Sequence, residues 1–154
     1  MNFRNLILCV VVFVILSGSV EAANIWKGGV GDWDVDGNWS DGVVPDSGTA
    51  VAFKGKSTIE HATIYSGTNA LADRLKVAYN DNNPGGVDGE ITLKSGASLD
   101  ARQLLMSVKG VGEESTFNME GGTLTSDFID VGQMDKGNFI QTGGTVNVNG
   151  HVKF

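Results

Sequence analysis

The sequence predicts an all-β fold, a β-solenoid of a few coils, and three observations predict it. Apolar residues alternate with period two rather than with a helical period. Examples are Ile91-x-Leu93, Phe117-x-Met119, Ile129-x-Val131 and Val146-x-Val148, with Thr92, Asn118, Asp130 and Asn147 between them. Such alternation turns one set of side chains inward and the other into solvent. Glycine and Asn/Asp clusters punctuate the runs every few residues, as turns require. Finally, the runs repeat.

Phe117-Asn118-Met119-Glu120-Gly121-Gly122-Thr123-Leu124 returns as Phe139-Ile140-Gln141-Thr142-Gly143-Gly144-Thr145-Val146 at a constant offset of 22 residues. A looser copy, Gly96-Ala97-Ser98-Leu99, matches Gly121-Gly122-Thr123-Leu124 at an offset of 25. A second element is an apolar pair followed by a small residue. It occurs as Leu75-Lys76-Val77-Ala78, Leu104-Leu105-Met106-Ser107 and Ile129-Asp130-Val131-Gly132, in steps of 29 and 25 residues. The variable lengths fall in polar stretches such as Asn80 to Gly89, which reads as a loop. One coil of this size cannot bury its own inward side chains. Coils stacked about 4.8 Å apart bury them as columns. Phe117 over Phe139 and Leu124 over Val146 are two expected columns. The paired glycines fit a corner that needs positive φ or has no room for a Cβ. An antiparallel sandwich with similar hairpins is the alternative, but a register kept over eight positions favours the solenoid. Ala70 to Lys76 could pass for one helical turn. Val77, however, continues the alternation begun at Leu75, which favours a strand.

Residues 1–22 read as an export signal. Arg4 supplies a positive start, Leu6 to Leu16 is an uninterrupted apolar run of 11 residues, and Val20-x-Ala22 provides small residues for cleavage after Ala22. The run is too short for a helical span, which needs roughly 20 residues. The lone cysteine, Cys9, lies inside it, so residues 23–154 carry no thiol, no disulfide and no cysteine metal site. Arg4 and Glu21 leave together, so the net charge stays at −7. That charge argues against a nucleic-acid partner, and the single short apolar run argues against a transmembrane bundle. A hydrophobic content of 41% is too high for an acidic disordered tail. With 22 glycines and 2 prolines, the chain fits neither collagen nor a proline-rich linker.

The start of the exported part reads Ile25-Trp26-Lys27-Gly28-Gly29-Val30-Gly31-Asp32-Trp33, then Asn38-Trp39, Gly42-Val43-Val44-Pro45 and Ala50-Val51-Ala52-Phe53. This W…G-x-W…N-W…G-x-x-P…A-x-x-F order resembles the start of large secreted bacterial β-solenoid proteins of the autotransporter-passenger type, common in planctomycetes and verrucomicrobia. The G-G-T-L-T and Q-T-G-G-T-V-N-V repeats are similar to those of their bodies. The resemblance implies a right-handed parallel β-helix, secreted or at the cell surface, with no established enzyme activity. On this reading 1–22 is the signal peptide, 23–60 a Trp-rich N-terminal cap and first coil, and 61–154 the β-solenoid repeats. The resemblance departs at His151-Val152-Lys153-Phe154, inside an alternating run, where such proteins continue through many coils. An uncovered edge invites pairing. A longer gene product, or another chain capping this edge, is therefore expected.

Candidate sites have two readings each. Trp26, Trp33 and Trp39 form either a plug for the open N-terminal end, which terminal repeats require, or an aromatic platform for a sugar ring. Asp32-x-Asp34-x-Asp36-Gly37 matches the start of a calcium loop of the EF-hand type. Its twelfth position is Val43, where a bidentate Glu is needed, so a solvated acidic turn is the simpler reading. Asn38-Trp39-Ser40 fits a glycosylation triplet that matters only in a eukaryotic secretory pathway. His61 and His151 lie near no nucleophile motif, and neither G-x-S-x-G nor H-E-x-x-H occurs. Asp127 and Asp130 are neighbours, but the positions 22 residues on are Asn149 and Val152, so no acidic ladder is expected and both read as solvent-facing. No catalytic, cofactor-binding or metal residue is assigned, and the chain reads as no enzyme.

The function expected is that of an exported, non-catalytic β-solenoid module, structural or adhesive, at the cell surface. Its expected partners are surface polysaccharide, further solenoid coils or another chain at the C-terminal edge, with no nucleic acid and no membrane span after signal cleavage. The alternatives are a carbohydrate-binding module using Trp26, Trp33 and Trp39, and a remnant of a polysaccharide-degrading β-helix enzyme.

Overall fold

A computed structural model describes residues 23–54, 60–79, 88–109 and 114–154. Residues 1–22, read from the sequence as an export signal, and most of the stretch from Asn80 read as a loop lie outside the described residues. Gly89, placed in that loop from the sequence, opens a strand. The strands are β1 (Asn24–Ile25), β2 (Val30–Asp32), β3 (Ala50–Ala52), β4 (Glu60–Ile64), β5 (Asn69–Tyr79), β6 (Gly89–Leu93), β7 (Ser98–Lys109), β8 (Glu114–Met119), β9 (Thr123–Val131), β10 (Lys136–Gln141) and β11 (Thr145–Lys153). Odd strands form one sheet in the order β1-β3-β5-β7-β9-β11, and even strands a second in the order β10-β8-β6-β4-β2. Every neighbouring pair is parallel. The chain is thus a β-solenoid, each coil made of one even strand and the odd strand that follows. Among the described residues, no helix is long and apolar enough to cross a membrane.

The alternating residues stack as columns. Ala62, Ile91, Phe117 and Phe139 occupy one register position in successive coils, and the Phe117 and Phe139 rings stack at 5.3 Å with 5° between their planes. Ala70, Leu99, Leu124 and Val146 form another column. Val51, Leu75, Leu104, Ile129 and Val152 form a third, running through five coils. Ala70 to Lys76 is strand throughout. Each of β5, β7 and β9 carries, part-way along, two successive residues that are not buried. In β7, Leu99 and Ala101 are buried, Arg102 and Gln103 are not, and Leu104 and Met106 are buried again. Two successive outward residues bend the strand, so it walls two sides of the coil.

The corners explain the repeated glycines. Gly122 and Gly144 have φ of 74° and 80°, a region that costs other residues about 1–2 kcal/mol. A Cβ on Gly122 lies 2.5 Å from the Ala97 carbonyl oxygen, and one on Gly144 lies 2.5 Å from the Gly122 carbonyl oxygen. The small residue after each apolar pair marks the opposite corner: Ala78, Ser107 and Gly132 have φ of 53°, 52° and 77°. Coil length then shrinks along the stack. Asn69, Ser98, Thr123 and Thr145 share a position in steps of 29, 25 and 22 residues.

Candidate functional site

The two ends of the stack carry the residues singled out from the sequence. At the N-terminal end the segment around Trp39 folds back over β1. Trp26 and Trp39 form an antiparallel bridge. The Lys27 amide donates to the Asn38 carbonyl at 2.9 Å, the Ser40 amide to the Ile25 carbonyl at 2.8 Å, and the Ile25 amide to Ser40 Oγ at 2.8 Å. The free edge of β1 is therefore covered, which removes a template for strand pairing. Trp39 meets Trp26 and Trp33 edge-to-face at 5.0 and 4.7 Å, and Trp26 stacks on Phe53 at 5.5 Å. The Trp39 indole N–H donates to the Trp33 carbonyl at 2.8 Å, and that of Trp26 to the Gly29 carbonyl at 3.2 Å. The Trp33 indole N–H is buried without a partner.

Trp26, Trp33 and Trp39 are 2%, 0% and 0% exposed. A sugar platform needs an open ring face, and these three indoles present none. They plug the end of the core instead, where the columns carry the small residues Ala62, Ala70 and Ala72. Asn38 belongs to the same construction. Its side-chain amide, the group a glycan would occupy, donates to the Asp32 carbonyl at 2.9 Å.

The calcium-like spacing builds no cage. Asp32 ends β2, and Asp36 opens a one-turn 3-10 helix, Asp36–Asn38. The Asp34 carboxylate accepts from the Thr68 hydroxyl at 3.2 Å, and Asp36 Oδ1 accepts from the Val44 amide at 2.9 Å. The second and third carboxylates therefore anchor different loops. Among the described residues, no three of His, Cys, Asp and Glu converge to hold a metal ion.

Charged side chains on the outer walls link one coil to the next. Arg102 grips Asp73 with two hydrogen bonds, Nε to Oδ1 at 2.5 Å and a terminal nitrogen to Oδ2 at 3.0 Å. The hydrogen bond from Arg102 is the main reason the Asp73 carboxyl is held below its ordinary range. Lys94 pairs with Glu120 at 2.7 Å. Lys136 pairs with Glu114 at 2.9 Å, and Lys136 and Asn138 lower the Glu114 carboxyl through hydrogen bonds. The two histidines do not meet. His61 Nε2 lies 2.9 Å from the Thr92 hydroxyl on β6, whereas His151 on β11 sets its ring against Phe128 at 4.3 Å.

Asp127 is exposed as expected, but the reading of Asp130 needs correction. Asp130 is 2% exposed, its Oδ2 lies 3.5 Å from Lys153 Nζ, and its Oδ1 has no hydrogen-bond partner. The residue above it is Lys153, not Val152. The register slips by one between Val148 and His151, because Asn149 and Gly150 form a bulge opposite Asp127. A constant offset of 22 overlooks that extra residue.

At the C-terminal end nothing comparable to the plug is present among the described residues. Phe139 and Val146 are half-buried, whereas Val152 and Phe154 are 44% and 88% exposed. With Ile129 and Val131 they line an apolar cavity of about 220 Å³ that opens outward. The outer edges of β10 and β11 have no neighbouring strand among the described residues. Comparison with protein families, curated proteins and solved structures finds no match to this chain.

Proposed function

We propose that the protein is an exported, non-catalytic β-solenoid module with a structural or adhesive role at the cell surface. One observation carries this reading: the stack is closed at one end by three buried tryptophans and presents an apolar, edge-exposed coil at the other. That is the form of a terminal unit, since solenoids need a cap at each end and pass their core on from coil to coil between them. The outer charges support it too. Arg102, Lys94 and Lys136 each pair with a carboxylate of the preceding coil or the next one, a use that holds a rod together. The tryptophan-rich start, similar to that of secreted bacterial β-solenoids, and the signal-like residues 1–22 point outside the cell. The partner at the open end is then further coils of the same pattern, or another chain supplying them.

Antibody labelling and protease shaving of intact producing cells test the location, and labelled, protease-sensitive protein at the surface is expected. Protein that stays inside intact cells overturns the reading. Incubation with acidic polysaccharides tests the absence of catalysis. Release of new chain ends would identify a β-helix enzyme instead.

A further inference from the structure

The sequence contains one Asn-Gly dipeptide, Asn149-Gly150, and the fold places it in a bulge on the outermost described strand of a sheet. Both residues are exposed. They lie on the last strand of the six-stranded sheet, with no strand beyond it among the described residues. On the inner side the parallel ladder skips them: Val148 pairs with Ser126, and the next pair is His151 with Phe128. The bulge requires glycine, because a Cβ at position 150 would collide with the Asp127 carbonyl oxygen. The residue that lets the bulge pack is thus also the one whose own amide nitrogen, next after Asn149, is unshielded by a side chain.

We infer that Asn149 is a site of spontaneous deamidation. The Gly150 amide nitrogen attacks the Asn149 side-chain carbonyl carbon and loses its proton. A C–N bond forms, ammonia leaves, and a five-membered succinimide remains. Water then opens either ring carbonyl, giving aspartate or isoaspartate, with no oxidant or enzyme needed. The Asp127 carboxylate accepts a hydrogen bond from the Asn149 side-chain nitrogen at 3.1 Å. Loss of that nitrogen replaces a donor with a second carboxylate facing Asp127. The isoaspartyl product also reroutes the backbone through the side-chain carbon and lengthens the bulge by one methylene. Both changes loosen the attachment of residues 151–154, which rests on the His151–Phe128 contact at 4.3 Å and the Lys153–Asp130 pair at 3.5 Å.

Peptide mapping by mass spectrometry of the purified folded protein, incubated in mildly alkaline buffer at physiological temperature, tests this. Aspartate and isoaspartate are expected at position 149 before any other described asparagine converts, at a rate within an order of magnitude of that in the urea-unfolded chain. N149Q, which cannot close the five-membered ring, is expected to stay unmodified there. N149D, which mimics one product, is expected to melt at a lower temperature. An Asn149 that remains intact in the folded protein while the unfolded chain converts overturns the inference, as does another described asparagine converting first.

Discussion

At the N-terminal end of the longest column, Val51 and Leu75 are fully buried beneath a plug of indoles. At the other end of the same column, Val152 is 44% exposed. Both ends use strands of the same repeat. The difference lies in what surrounds them. Residues 33–49 turn back across β1 and carry two large aromatic groups, Trp33 and Trp39, into the core beside Trp26, whereas the last coil ends in valines, a phenylalanine and strand edges with no neighbour among the described residues. The comparison teaches that the repeat supplies the walls of the solenoid but not its closure. Closure takes a different kind of sequence, rich in tryptophan and in turns.

The largest expected effect breaks the closed end. Trp39→Ala should cost about 3–5 kcal/mol in denaturant unfolding, the usual range for emptying a buried aromatic site. Val152→Ala at the open end should cost below about 1 kcal/mol, since its side chain is only partly removed from water. Equal losses at the two sites would abolish the contrast. Next come the corners. Gly122→Ala should lower stability by about 1–3 kcal/mol, through its strained φ and the Ala97 oxygen against it. Gly144→Ala should cost less, because no described coil lies above it and the last turn can shift. A finer test stays inside the plug. Trp39→Phe loses the hydrogen bond to the Trp33 carbonyl, whereas Trp33→Phe removes a buried donor that has no partner. Trp39→Phe should therefore be worse by about 1 kcal/mol.

The smallest effect concerns the outer wall. Arg102→Ala should cost below about 1 kcal/mol at neutral pH, as expected for an exposed ion pair. Because Asp73 has a lowered folded pKa, its contribution is present above the unfolded carboxylate value of about 3.9 and fades as pH falls through the lower folded value. The variant should show a flatter acid limb in its stability–pH profile. An unchanged limb would mean that this pair does not govern it.

Much of the fold was legible in the residues. Phe117 and Phe139 share a register because the eight-residue segments that carry them repeat Phe, Gly, Gly and Thr at the same spacing, and stacking coils is how such similarity buries both. The small residue after each apolar pair was visible as a repeat, but its cause was not. Ala78, Ser107 and Gly132 adopt positive φ, and a repeated backbone angle leaves only a weak mark when alanine and serine tolerate it. The constant offset puts Val152 over Asp130, but one bulge in β11 brings Lys153 there instead. The Asn149-Gly150 pair was the available signal, since glycine inside a strand pattern often marks a bulge. The tryptophans could be placed at the N-terminal end, yet only the fold-back around Trp39 decides that their faces are covered. The aspartates at 32, 34 and 36 show the converse: their spacing imitates a metal loop, but a strand, a turn and a 3-10 helix aim two of the carboxylates at different neighbours.

The step from Phe117 to Phe139 begins and ends at the same place on the coil. An in-frame duplication of the DNA encoding such a step would therefore insert one whole turn, lengthening the rod by about 4.8 Å while leaving the tryptophan plug untouched. A molecule built this way can vary in reach by copy number alone, without any new side chain having to be selected.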